Sequence, residues 1–289
     1  DDWKRLGDKT KTQKKNRFDQ YLPRFGHLPI DMLDRVGVRR IRDEKEDAPA
    51  AANQRLKDLK AVFNWAKREE IVDSNPVLEV EKLALKKKAD GTKGHRTWTK
   101  AEVERFLDYY PLGTKQHLAM IVFLYTGTRV SDACRLGPAM LEDDTITFVE
   151  VKNAEKVDKE GETNPKVTRI PMLEPLRQAL EAYNATQKVI GMTWISHTSG
   201  RPYNAKTISS WFVDQVKAAG LGEGLTPHGI RKRAATYIAD AGASSKQIMA
   251  VFGWKKPEQA EVYTSAAEAK RLAKEGLEKL KVTTENQVD

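Results

Sequence analysis

Cysteine is nearly absent from this chain of 289 residues. Cys134 stands alone, so no disulfide can form within the chain and no cysteine-based zinc site can be built. A lone thiol fits a reducing, cytoplasmic setting. Histidine is almost as scarce. The five (His27, His95, His117, His197 and His228) show no metal-ligand spacing such as HExxH, so neither a metal nor an organic cofactor is expected. Apolar runs of the roughly 18–20 residues needed to span a bilayer are missing, as is anything resembling a signal peptide. Asp1 rather than Met opens the chain, which leaves room for a further N-terminal module. Internal repeats are lacking too, and low complexity is confined to one lysine-rich stretch.

What the chain does have is positive charge, unevenly spread. The net charge is +9, and residues 1–96 hold 24 Lys and Arg against 17 Asp and Glu, whereas residues 97–289 hold 26 against 24. A basic N-terminal third is what a polyanion-binding surface requires, although a solvated face with surplus lysine has the same composition. The pattern along the chain predicts helices over 14–25 and 51–69. In the second, Leu56, Leu59, Val62, Phe63 and Ala66 share one stripe. "DSNPV" (73–77) ends that helical unit. "LKKKADGTKGHR" (85–96) reads as an exposed linker whose Lys86, Lys87 and Lys88 are candidate phosphate contacts.

Order resumes at "TWTKAEVERFL", where Thr99 and Glu102 have the spacing of a capping box. "HLAMIVFLYTG" (117–127) reads as a buried helix ended by Gly127. Alternating β-branched residues predict strands at 145–152 and 166–172, with a long hairpin loop between them and a third short strand at 192–196. The remainder reads as helix, with Thr226 as cap and Pro227 in the first turn. The fold class is therefore mainly α: a helical domain over 1–84, a linker over 85–96, and a mixed α/β domain over 97–289 with a small antiparallel sheet.

Five short stretches carry chemistry. His228 and Arg231, at i and i+3 on a helix start, share a face where unpaired N–H groups and the helix dipole favour a phosphate. Arg129 follows a glycine turn at another helix start, and arginine suits bidentate phosphate contact. Taken singly, each is an ordinary surface residue. Taken in order, they resemble the tyrosine recombinase family, the phage-type integrases. The matching positions are Arg129 in "TGTR", Lys152 ending "TFVEVK", His228 and Arg231 in "HGIR", Trp254 in "FGW" and Tyr263 in "EVYTS". The steps of 23 residues from Arg231 to Trp254, 9 from Trp254 to Tyr263 and 35 from His228 to Tyr263 suit the family as well. Residues 51–77 look like the last helix of that family's core-binding domain. Two positions depart from the commoner pattern: Trp254 stands where histidine is frequent, and Asp132 where glutamate is. Asp132 reads as the residue that orients Arg129.

The resemblance implies a site-specific DNA recombinase that integrates or excises a mobile element. It implies two arginines that neutralise phosphate charge, Tyr263 as nucleophile forming a 3′-phosphotyrosyl link, and His228 as proton carrier. Lys152 is then the acid for the 5′-oxygen, although Lys156, Lys159 and Lys166 lie close by. It also implies double-stranded DNA as partner, gripped between the two domains, and a homotetramer on two sites. A type IB topoisomerase shares the same site logic, and a decayed DNA-binding integrase would share the fold. The tail places Ala269, Ala273, Leu277 and Leu280 on one helical face, to dock on a neighbouring protomer or on its own domain.

Overall fold

The computed structural model describes residues 3, 4, 6–85, 95–151 and 165–285, the last six by backbone alone. These fall into two compact units, Trp3 to Leu85 and His95 onward. Lys86, Lys87, Lys88, Lys152, Lys156 and Lys159 lie outside the described residues, as does most of the expected linker. Its last two positions, His95 and Arg96, belong to the second unit.

In the first unit, α1 (Asp8–Phe18), α2 (Leu22–Phe25), α3 (Arg35–Asp43) and α4 (Pro49–Arg68) surround one apolar core. The continuous helix expected over 14–25 is broken at Asp19–Tyr21. Pro23, which has no N–H to give, sits in the first turn of a new short helix, where none is needed. The stripe on α4 is buried as its spacing predicts, with Leu56, Leu59, Phe63 and Ala66 inside and Val62 half-buried. "DSNPV" is not the end of the unit. A 3₁₀ turn at Pro76–Glu79 returns Val77 and Val80 to the core, and the Asn53 amide grips the backbone of Leu83 from both sides at 2.8 Å. Asp58, on the same helix, is buried. Burial opposes its charge, but hydrogen bonds from Arg17 (2.5 Å) and Lys14 (3.2 Å) outweigh that and hold the carboxyl below its ordinary range.

The second unit opens with α5 (Lys100–Tyr109), started by the reciprocal Thr99–Glu102 cap. Next comes α6 (Lys115–Thr126), whose Leu118 to Phe123 are buried throughout, and then α7 (Val130–Ala133). Among the described residues the sheet is β1 (Leu141–Glu142), β2 (Thr145–Val149) and β3 (Val167–Pro171), antiparallel in that order. Ile146 pairs with Ile170 and Phe148 with Thr168, and these four face the core. β1 was not legible in the sequence. The strand expected at 192–196 does not form. Ser196 makes a single bridge to Pro202, closed by His197 N–H to Arg201 O at 2.9 Å, and the Trp194 N–H donates to the Leu136 carbonyl at 2.8 Å, so this backbone finds its partners outside the sheet.

Among the described residues five further helices follow: α8 (Glu174–Asn184), α9 (Ala205–Ala218), α10 (Pro227–Asp240), α11 (Ser245–Phe252) and α12 (Glu258–Glu285). The buried α6 packs on α8 and α10, and α12 packs on α10 and α11 through Ala260, Tyr263 and Ala267. Ala269, Ala273 and Leu277 remain exposed, so that face of α12 is not covered there by its own domain, and the side chain of Leu280 lies outside the described residues. No helix among the described residues is long and apolar enough to cross a membrane.

Candidate active site

Arg129 is placed by the end of α6. Gly127 adopts the left-handed conformation (φ 55°) that ends a helix, and the Thr126 and Thr128 hydroxyls bond at 2.8 Å beneath the turn. Arg129 is thereby the residue that starts α7. Its guanidinium donates to Glu150 Oε2 at 2.7 Å. Asp132 does not make that bond. Its buried carboxylate accepts the Val151 N–H at 2.8 Å, which fixes the backbone just past β2. Burial pushes its pKa up, against the pull of that N–H and of Arg129. A glutamate two residues before the expected lysine thus occupies the role assigned to Asp132. The shorter aspartate reaches only the neighbouring backbone.

Glu150 is the hub of this corner. Besides Arg129, it accepts Lys166 Nζ at 2.8 Å and the Thr168 hydroxyl at 3.0 Å, the second from the adjacent strand of the hairpin. Burial disfavours the carboxylate, but Lys166 and Arg129 outweigh it and hold the group below the usual range. Lys166 also donates to the Gly253 carbonyl. That contact explains Gly253, which ends α11 with φ 64°. A Cβ there would overlap both the Lys166 amine and the Glu150 carboxylate.

Arg231 comes from the first turn of α10, started by the Thr226 cap. It is buried at 7% exposure, and its guanidinium donates to the carbonyls of Gly127 and, at 2.8 Å, Phe252. One buried cation therefore ties together the ends of α6, α10 and α11. Its charge lies over the rings of Phe252 (5.1 Å) and Trp254 (5.8 Å). Burial and then the charge of Arg129 lower its pKa to about 10, which still leaves it charged at neutral pH.

Trp254 and Tyr263 form a stack, with centroids 5.6 Å apart and planes 18° from parallel, and Phe252 also stacks on the indole at 4.9 Å. Tyr263 is thus held on the first turns of α12, half-buried. Burial raises its pKa while the Arg231 charge pulls the other way, so the phenol is protonated at neutral pH. His228 keeps an exposed edge, yet crowding by protein and the charges of His95, Arg231, Lys232 and Arg129 lower its pKa to about 4. Its imidazole is neutral and able to accept a proton.

Arg129, Asp132, His228, Arg231, Trp254 and Tyr263 therefore share one corner of the second unit. Glu150, Lys166 and His95 join them. Alternation along the hairpin could have pointed to Lys166, but nothing local marks Glu150 or His95.

The Phage integrase family model matches residues 96–270, and the chain belongs to that family. As a tyrosine recombinase it is an enzyme that cleaves and rejoins DNA strands. The XerC recombinase of Pelotomaculum thermopropionicum is 24% identical over 227 residues, covering 75% of this chain and 71% of the relative. XerC of Corynebacterium efficiens is 30% identical over 159 residues, covering 53% and 47%. The fold is shared with a lambda integrase dimer bound to a COC′ core site (TM-score 0.72, 20% identity, 90% of this chain and 89% of that one). It is shared equally with the Tn1549 transposon integrase in complex with transposon right end DNA (TM-score 0.72, 22%, 93% and 95%).

Proposed function

We propose that this enzyme recombines specific sites on double-stranded DNA for a mobile element, through a covalent 3′-phosphotyrosyl intermediate. The observation that carries this reading is the meeting of two arginines, a neutral imidazole and a stacked tyrosine on helices far apart in sequence. A phosphodiester resists attack because its oxygens are negative and its alkoxide leaves poorly. Arg129 and Arg231 offset the charge that grows on the non-bridging oxygens. The Tyr263 oxygen bonds to phosphorus and gives its proton to His228, while the bond from phosphorus to the 5′-oxygen breaks. Lys152 supplies the proton that the departing 5′-oxygen takes up. Trp254 holds the phenol by stacking, and its indole N–H is a donor for a phosphate oxygen. A 5′-hydroxyl from a second strand reverses the attack, so strands are exchanged with no loss of ester bonds.

The lambda integrase tetramer bound to a Holliday junction is a fold neighbour at TM-score 0.71, which supports a homotetramer on two sites. The exposed face of α12 is available to join protomers. The setting is the cytoplasm, where DNA is accessible and Cys134 stays reduced.

Incubation with fragments of the genome that encodes the chain, followed by denaturation and sequencing of the attached DNA, tests the reading. Wild type is expected to yield adducts at a discrete site. Tyr263→Phe should yield none while binding DNA about as well. Adducts from the phenylalanine variant would remove Tyr263 as nucleophile.

A further inference from the structure

His95 lies at the start of the second unit, on a short extended strap that crosses the first turn of α10. Several contacts fix the strap. The His95 carbonyl accepts Lys232 Nζ at 2.7 Å, and His95 Nδ1 bonds the Thr226 hydroxyl at 3.1 Å. Trp98, buried among Phe106 and Phe212, donates its indole N–H to the Thr226 carbonyl at 3.0 Å. Arg96 turns away to Glu102 at 2.5 Å, and its carbonyl lies so close to Gly229 that a Cβ there would overlap it. The glycine of "HGIR" is thus the residue that lets the strap lie against the helix.

The consequence falls on His228. The His95 ring packs on it, with centroids 4.7 Å apart and planes at 51°. His95 is itself held by the hydroxyl that caps α10, since Thr226 also receives the Gly229 N–H. The cap, the strap and the imidazole at position 228 therefore form one assembly.

We propose that His95 is a positioning residue for strand cleavage: its ring backs His228, orients that imidazole and keeps it unprotonated, ready to accept the Tyr263 proton. Two imidazolium rings at this separation repel, so a proton on one ring disfavours a proton on the other. The charged groups around His228 are Arg231 and Lys232 on its own helix, Arg129 from the turn before α7, and His95 on the strap. The His95 ring and three permanent cations thus all oppose a proton on His228. A change at position 95 then alters the pH at which His228 gains its proton, which a purely structural strap residue would not do.

The proposal rests on the reading of His228 as proton carrier, and two measurements separate their failures. The first needs no DNA. The full chain, labelled with ¹⁵N at histidine, is titrated by NMR, with the His228 resonance assigned by its loss in His228→Asn. In wild type the His228 midpoint is expected well below the ordinary 6.5. In His95→Phe, which keeps a ring but no charge, and in His95→Gln, which keeps a partner for Thr226, it should rise by roughly half a unit or more. The second is single-turnover cleavage of the site recovered from the adducts. There the acid limb of both variants should move up in pH with the His228 midpoint, with a loss at the optimum of roughly 10-fold or more from misorientation. A His228 midpoint that is the same in wild type and both variants overturns the proposal, as does a cleavage loss equal at every pH. A wild type that traps no DNA overturns the recombinase reading instead, and the titration still decides the role of His95.

Discussion

His228 and Tyr263 are matched by their surroundings. The phenol is held protonated by burial, so it needs a base, and the imidazole is held neutral down to about 4. This has a sign for stability. The unfolded chain binds a proton at His228 near 6.5 and the folded chain only near 4, so the unfolded state gains protons first as pH falls. The contribution is fully present above about 6.5 and is lost between about 6.5 and 4. Urea unfolding at stepped pH should show stability falling in that window, with a shallower fall in His228→Asn. An equal slope would mean that the exposed edge of the ring is solvated enough to titrate normally.

The proton for the leaving group also belongs at this scale. A general acid contributes about 10²–10⁴-fold, so Lys152→Ala should slow cleavage of ordinary DNA by that order. It should cleave a 5′-bridging phosphorothiolate almost normally, because a thiolate departs without a proton. Lys166 donates to Glu150 and to Gly253, so two of its three N–H groups are engaged in holding the corner together. Lys166→Ala is therefore expected to slow both substrates alike. Thiolate rescue of Lys166→Ala, with Lys152→Ala unimpaired, would move the acid to position 166.

Among the elements, the end of α11 carries the most constraint. Gly253 has a left-handed backbone, and its Cα faces the Lys166–Glu150 pair. Gly253→Ala adds both a strained φ and a collision. We expect a loss of about 1–3 kcal/mol in chemical denaturation. Cleavage should fall as well, because Glu150 would be displaced from Arg129. Normal stability would show that the hairpin yields at no cost. The hairpin itself shows why elements are easier to foresee than sites. Alternation marks 145–152 and 166–172 as strands, of which Thr145–Val149 and Val167–Pro171 form, but which carboxylate meets Arg129 depends on the register that puts Glu150 beside Lys166 and Thr168.

For the whole molecule, the relevant quantity is charge. The excess of base in residues 1–96 should make DNA binding fall steeply with salt, as neutralised phosphates release their counterions. Neutralising Lys86, Lys87 and Lys88 together should weaken binding to all sequences alike and reduce the slope of log K against log salt by up to about 3. Fluorescence anisotropy across a salt series reads this directly. An unchanged slope would make the three lysines solvated spacer.

The sequence by itself determined the mainly helical class, the buried α6, the caps at Thr99 and Thr226, and the order of Arg129, His228, Arg231, Trp254 and Tyr263. Those features depend on local periodicity, backbone chemistry and spacing along the chain. Tertiary structure alone decided that Glu150 rather than Asp132 bonds Arg129, that the Trp194 N–H meets the Leu136 carbonyl instead of a sheet strand, and that His95 backs His228. Each joins groups on separate elements, 21 positions apart for Arg129 and Glu150 and 131 for His95 and Thr226. No local pattern records such a meeting, because it is fixed by how helices and hairpin pack around the buried Arg231.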